Sequence, residues 1–162
     1  MAAVDYFLKI DGIDGESSKN KHENEIELES WSWGESQSGT AAHGGGGGAG
    51  KVAMQDFHFV MKVSKASPKL MLACATGEHI KKAVLTARKA GKEQQEYLKV
   101  TLSDLLVSSY QTGGSGHGDV VPTDQVSLNF SKIEVVYKEQ KADGSLGGAT
   151  PAGFDLKKMM AV

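Results

Sequence analysis

Arginine and cysteine each occur once in this 162-residue chain, as Arg88 and Cys74, and proline only three times. One cysteine excludes an intrachain disulfide; set in the apolar stretch Leu70 to Ala75, it is expected to be a buried thiol. With a single Arg among 18 basic residues, bidentate recognition of phosphate or carboxylate is thinly supplied. No excess of positive charge exists: the net charge is −2 and the pI about 6.2, which argues against a nucleic-acid binder or a polybasic membrane protein. Long hydrophobic runs are missing as well, so no membrane insertion is expected. Residues 1–7 have neither a basic segment nor an apolar core, which reads as a chain made in the cytosol without a cleaved secretory signal. What remains, 40% hydrophobic and 23% charged, is the composition of a globular domain. Its length supports one domain over residues 1–162, large enough to fold without disulfide or metal.

The dominant hydrophobic period is two. Val4, Tyr6, Leu8 and Ile10 share one face of a strand, and Asp5, Phe7 and Lys9 the other. Similar alternation runs through Phe57 to Val63, Val84 to Lys89, Leu98 to Leu102, Val126 to Tyr137 and Phe154 to Met160. Two strands change parity: Ile26 and Leu28 are even but Trp31 and Trp33 odd; Phe130 is even but Ile133 odd. A bulge, or a strand passing from one sheet to another, explains such a change. One short helix is expected, with Ser67 as N-cap, Pro68 at the first position and Gly77 as stop; its apolar sequence predicts burial, plugging one end of a barrel. The expected fold is therefore mainly β, an antiparallel two-sheet β-barrel with one flanking α-helix. Loops are expected at Lys19 to His22, Gly113 to Gly118 and Asp143 to Gly148, and an extended Gly-rich loop over 39–51.

Charge divides along the chain. Residues 1–60 hold 4 Lys and 10 acids; residues 61–100 hold 9 basic and 3 acidic residues. Solvated faces account for this, and so do two unlike sides suited to head-to-tail contact, which closes into rings or runs on as filaments.

Catalytic patterns are searched for and fall short. Gly45 to Lys51 begins a phosphate-binding loop, but Val52 stands where a hydroxyl is needed and a strand follows in place of a helix. Gly113-Gly114-Ser115-Gly116-His117 approaches a nucleophile elbow without its last Gly; Ser115, His117 and Asp119 would share one loop with nothing to hold them. His22, His43, His58, His79 and His117 lack ligand spacing and read as surface or loop residues. Glu25, Glu27 and Glu29 read as a solvated or inter-subunit acidic stripe. Neither an enzyme nor a cofactor or metal site is expected. Trp31 and Trp33, on one face of a strand, read as core packing, leaving Ser32 on the opposite side.

Several segments together resemble the haemolysin-coregulated protein (Hcp) family, the tube subunits of bacterial type VI secretion. They are Tyr6 to Ser17 (Y-F-L-K-I-D-G-I-D-G-E-S), Trp31-Ser32-Trp33-Gly34 with Ser36 to Gly39, the Gly-rich run ending at Lys51-Val52, and Pro68 to Ala75. Arg88 to Gly91, Val107 to Gly116, Val126 to Phe130 and Gln140 to Gly144 extend the likeness to most of residues 4–160. The resemblance implies a homohexameric ring, rings stacked into a tube, and delivery from the cytoplasm to the outside by a contractile sheath and spike. It also implies small protein effectors held in the lumen, with Ser32 as candidate lumen residue. His43, Gly44, Gly45, Gly46, Gly47, Gly48 and Lys51 are then candidates for a ring-stacking arm, adaptable because glycine is conformationally free. The rival readings are a monomeric, lipocalin-like ligand-binding β-barrel, a hydrolase using Ser115 and His117, and a family variant with an added effector domain, for which no residues remain after about 160.

Overall fold

A computed structural model describes residues 4–39, 51–89, 94–118 and 121–162. Its centre is a run of antiparallel strands: β1 (Val4–Ile10), β7 (Ile80–Lys89), β8 (Glu96–Gly113) and β9 (Thr123–Gln140), each paired with the next. β2 (Ile26–Glu27) continues beyond β1. Beyond β9 lie β10 (Leu146–Asp155) and β11 (Met160–Ala161). β3 (Ser30–Ser32) pairs with β6 (Phe57–Lys62), and β6 pairs with β9. β4 (Glu35–Gln37) and β5 (Val52–Met54) form a separate two-stranded ribbon.

β9 organises this arrangement. One edge pairs with β8 over almost its whole length, while the other serves β6 at residues 123–128 and β10 at residues 132–140. The parity change occurs at the handover. Leu102 pairs with Ile133 and Leu105 with Phe130, the same register on both sides, but the Asp104–Ser131 pair is missing from the ladder. Asp104 has φ of +50°, a left-handed turn that rotates the following residues, so Leu105 and Val107 take up the core positions in place of Asp104 and Leu106. The Ser131 carbonyl accepts the Leu156 amide instead.

The other parity change is a corner. Leu28 donates its amide to the Tyr6 carbonyl on β1, and Glu29 donates to Val60 on β6. Segment 26–32 thus leaves one partner and joins another. Because this seam is two short ladders meeting at a corner, the expected closed two-sheet barrel is replaced by a branched antiparallel sheet and a ribbon. Two further expectations of extent are revised. β8 spans 18 residues and runs through Gly113, and the C-terminal strand begins at Leu146, breaks after Asp155 and resumes at Met160.

α1 (Ala66–Thr76) starts before the expected position. Lys65 is its N-cap, without a side-chain hydrogen bond, and Ser67 and Pro68 lie inside the first turn. Gly77 does end it, at φ of +68°, with its amide on the Ala73 carbonyl. The helix is not buried all round. Leu70 and Ala73 are fully covered, Cys74 is half-buried, and Met71 and Leu72 are 50% and 58% exposed. Its first turn is tied to β9: the Ser67 hydroxyl donates to Asp124 Oδ2 at 2.5 Å and accepts the Ser64 amide at 3.0 Å. The helix has no acidic residue in its own first turn, so this tie to the buried Asp124 is a polar contact there.

The core contains Leu8, Ile10, Phe57, Phe59, Met61, Leu85, Leu102 and Leu128. Burying a side chain of this size contributes about 1.5–3 kcal/mol. The interior is filled by these side chains, the opposite of what a lipocalin-like pocket needs.

Candidate functional site: a polar sheet face and the ribbon beside it

Ser32, His58, Ser127 and Ser109 stand opposite one another across β3, β6, β9 and β8. Opposed residues of antiparallel strands project to the same face, so the four form a row across the sheet. Ser32 and Ser109 are exposed; His58 and Ser127 are half-buried, with His58 Nδ1 and Ser127 Oγ 3.1 Å apart. A second row, Ser30, Val60, Gln125 and Gln111, runs beside it. At one end, Asp56 accepts hydrogen bonds from the Ser108 hydroxyl (2.7 Å) and the Asn129 amide (2.9 Å). The face is thus largely polar and uncharged, able to donate and accept hydrogen bonds without a strong field.

The reverse of the same strands explains why Ser32 is presented outward. Trp31 stacks on Phe57 at 5.9 Å and 11°, and meets Tyr6 edge-on at 6.0 Å. Trp33 tilts against Phe130 at 6.4 Å. Both tryptophans are half-buried against the core. Gly34 follows, where an added Cβ would lie 3.1 Å from Gln55 Oε1, and its carbonyl accepts the Gln55 amide. This contact brings β4 and β5 side by side as the base of the Gly-rich segment. Lys51 is exposed next to β5; His43, Gly44, Gly45, Gly46, Gly47 and Gly48 lie outside the described residues.

The remaining candidates are placed as follows. The Ser115 hydroxyl accepts the His117 amide at 3.3 Å in an exposed turn, and Asp119 lies outside the described residues. The acidic stripe is not uniformly solvated: Glu25 is half-buried against His22, Glu27 lies 3.6 Å from Lys19, and Glu29 is exposed. His22, expected as a surface or loop residue, lies between β1 and β2 outside any strand and is buried. Among the described residues no three His, Cys, Asp or Glu side chains converge in a way that would hold a metal ion.

Sequence reasoning missed two buried polar groups. Phe7 and Arg88 lie on the outer face of β1 and β7 yet are 0% and 1% exposed, with the guanidinium 4.7 Å from the Phe7 ring centre. Arg88 Nη1 donates to the Asn20 carbonyl at 2.7 Å. The available signal was Phe7 itself, an aromatic residue out of phase with its strand, opposite a chain's only arginine two residues along the partner strand. Asp124 is the other: fully buried, with Oδ1 unpartnered. Burial and then this carboxylate push the nearby Tyr110 phenol up, since both oppose negative charge on it. Burial, followed by the neighbouring Tyr6, raises Tyr97 likewise. At the β9–β10 turn the hydroxyl and amide of Ser145 hold Asp143 below the usual carboxylate range, and the amides of Lys158 and Lys157 lower Asp155.

Known proteins share this architecture. Residues 7–137 match the family described as type VI secretion system effector, Hcp. Protein hcp1 of Pseudomonas aeruginosa is 50% identical over 158 residues, covering 96% of this chain and 97% of that protein. The crystal structure of Hcp1 from Salmonella typhimurium superimposes with a TM-score of 0.84 at 40% identity, over 99% of this chain and all of that one. A structure described as a type six secretion system protein gives a TM-score of 0.92 at 25% identity, over 99% of this chain and 100% of its own. These likenesses span nearly the whole fold just described and leave no support for the lipocalin reading: the chain belongs to the Hcp family of the type VI secretion system.

Proposed function

We propose that this chain is a non-enzymatic tube subunit. Six copies close into a ring, rings stack, and the stacked tube leaves the cytoplasm through the type VI apparatus, driven by a contractile sheath behind a spike. Small protein effectors travel in the lumen. The observation that carries this reading is the two-sided strand at 30–33. Its tryptophans are committed to the core, while Ser32 stands exposed in a row of neutral polar groups across four strands. Such a face can hold a folded cargo by many weak hydrogen bonds and still release it, because no desolvated ion pair fixes the complex.

The Gly-rich loop 39–51, on its β4–β5 base, is assigned to ring stacking. Contacts within a ring need about 1,000 Å² or more of complementary surface, whereas contacts between rings can be smaller, since the tube must disassemble after delivery. The test is size-exclusion chromatography with negative-stain imaging of the parent chain and of a variant lacking residues 40–50. The parent should elute near six times the monomer mass and form rings and stacks; the deletion should keep rings and lose stacks. A parent that remains monomeric at every concentration sinks the reading. A deletion variant that stacks as readily as the parent removes the loop from it.

A further inference from the structure

Residues 14–25 cross the outer face of β1 and β7 and cover Phe7 and Arg88, and what fastens them is unusual. His22 is buried and lies flat on the Phe7 ring, with centroids 4.4 Å apart and planes within 3°. Its Nδ1 is 2.8 Å from Glu25 Oε2 and its Nε2 is 2.6 Å from Glu96 Oε1. An ionised carboxylate only accepts hydrogen bonds. The two contacts are attractive together when both ring nitrogens carry hydrogen and each donates to its carboxylate. Remove one proton and one nitrogen turns a lone pair toward a carboxylate oxygen, so that contact becomes repulsive.

The other charged groups around the site form their own pairs. From the covering segment, Lys19 reaches Asp5 of β1 at 3.1 Å and Glu27 of β2 at 3.6 Å. From β7, Arg88 holds the Asn20 carbonyl, with Nε 3.9 Å from Asp5. Lys21 and Glu23 are exposed. Lys21 and Asn24 have φ of +67° and +64°; Asn adopts this left-handed region readily, but Lys21 occupies one that L-residues other than Asn and Asp seldom do. Its own hydrogen bonds are Gly15 amide to Asn24 carbonyl, Asn24 amide to Ser17 carbonyl and Ser17 amide to Glu25 carbonyl.

We propose that residues 14–25 form a proton-gated latch. It is closed while His22 carries both ring hydrogens and bridges Glu25 to Glu96, and it loosens as the pH rises and one hydrogen is lost, exposing Phe7 and Arg88. A charge-assisted hydrogen bond is among the stronger pairings in a protein, and His22 is buried although Glu96 is partly exposed, so the loss of its contact is large enough to observe locally.

The test is amide hydrogen exchange on the intact chain at pH 6 and pH 9, corrected for the intrinsic exchange rate at each pH. The amides of Gly15, Ser17 and Asn24 report the latch, and those of central β8 and β9 serve as the control. Protection of the three latch amides should fall about tenfold or more between pH 6 and pH 9 while the control amides hold. Glu96→Gln distinguishes the mechanism. A glutamine amide can donate to the lone pair of a neutral imidazole, so this variant should stay closed at both pH values. His22→Phe keeps the ring stack but neither hydrogen bond, and should exchange fast at both. Equal corrected protection of the parent at the two pH values overturns the proposal. So does a Glu96→Gln variant that opens with pH as the parent does.

Discussion

Two outer sheet faces of this molecule start alike and end differently. On β1 and β7, Phe7, Thr86 and Arg88 point away from the core, and all three are buried because the chain folds residues 14–25 over this part of the face. On β3, β6 and β9 the corresponding side chains are Ser30, Ser32, His58, Val60, Gln125 and Ser127; Ser30, Ser32 and Gln125 are exposed, and His58, Val60 and Ser127 are half-buried. The first face is closed by stacking, charge pairs and a strained loop. The second is left open and neutral. An outer face rich in apolar and ionic groups has to be covered by the chain itself, since exposed Phe and unpaired charge invite wrong partners. A face of hydroxyls and amides is stable in water and can wait for a partner.

The strongest challenge to the closed face is Gly15→Ala. A Cβ there would lie 2.4 Å from the Glu25 carbonyl oxygen, so two backbones must separate; chemical denaturation should show a loss of about 3 kcal/mol. Unchanged stability would mean that the closed loop adds little to the fold. Arg88→Met keeps much of the packing over Phe7 but abandons the Asn20 carbonyl, and should cost about 2 kcal/mol by the same measurement. Between the two faces lies the helix tether. Ser67→Ala removes the hydroxyl that donates to the buried Asp124 Oδ2, at a cost of about 1–2 kcal/mol in thermal or denaturant unfolding. The open face should behave in the opposite way. Ser32→Lys is expected to change stability by no more than about 0.5 kcal/mol yet abolish effector retention in a pull-down. Cargo retained at the parental level would remove Ser32 from the binding surface, and a large loss of stability would mean that the residue is structural.

Much of this was legible from residue order. The period-two alternation located β1 and β6 almost to the residue, and the parity changes at Leu28/Trp31 and Phe130/Ile133 marked the corner and the β9 handover. The helix start was misplaced because Ser67, which has the chemistry of an N-cap, spends its hydroxyl on an aspartate from a distant strand. The helix was expected to be buried all round because its sequence is apolar all round, yet only the face toward β8 finds cover.

Periodicity and turn residues were enough to establish antiparallel strands and the two-sided strand bearing Trp31, Ser32 and Trp33, and the resemblance of several segments pointed to the family. Each depends on neighbours along the chain, where spacing alone sets which side a residue faces. Where an open edge becomes a corner, where His22 meets Glu96 across 74 residues, and where Asp124 meets Ser67 are long-range facts. They depend on which strands pack together, and no local pattern encodes the partner of a buried charge.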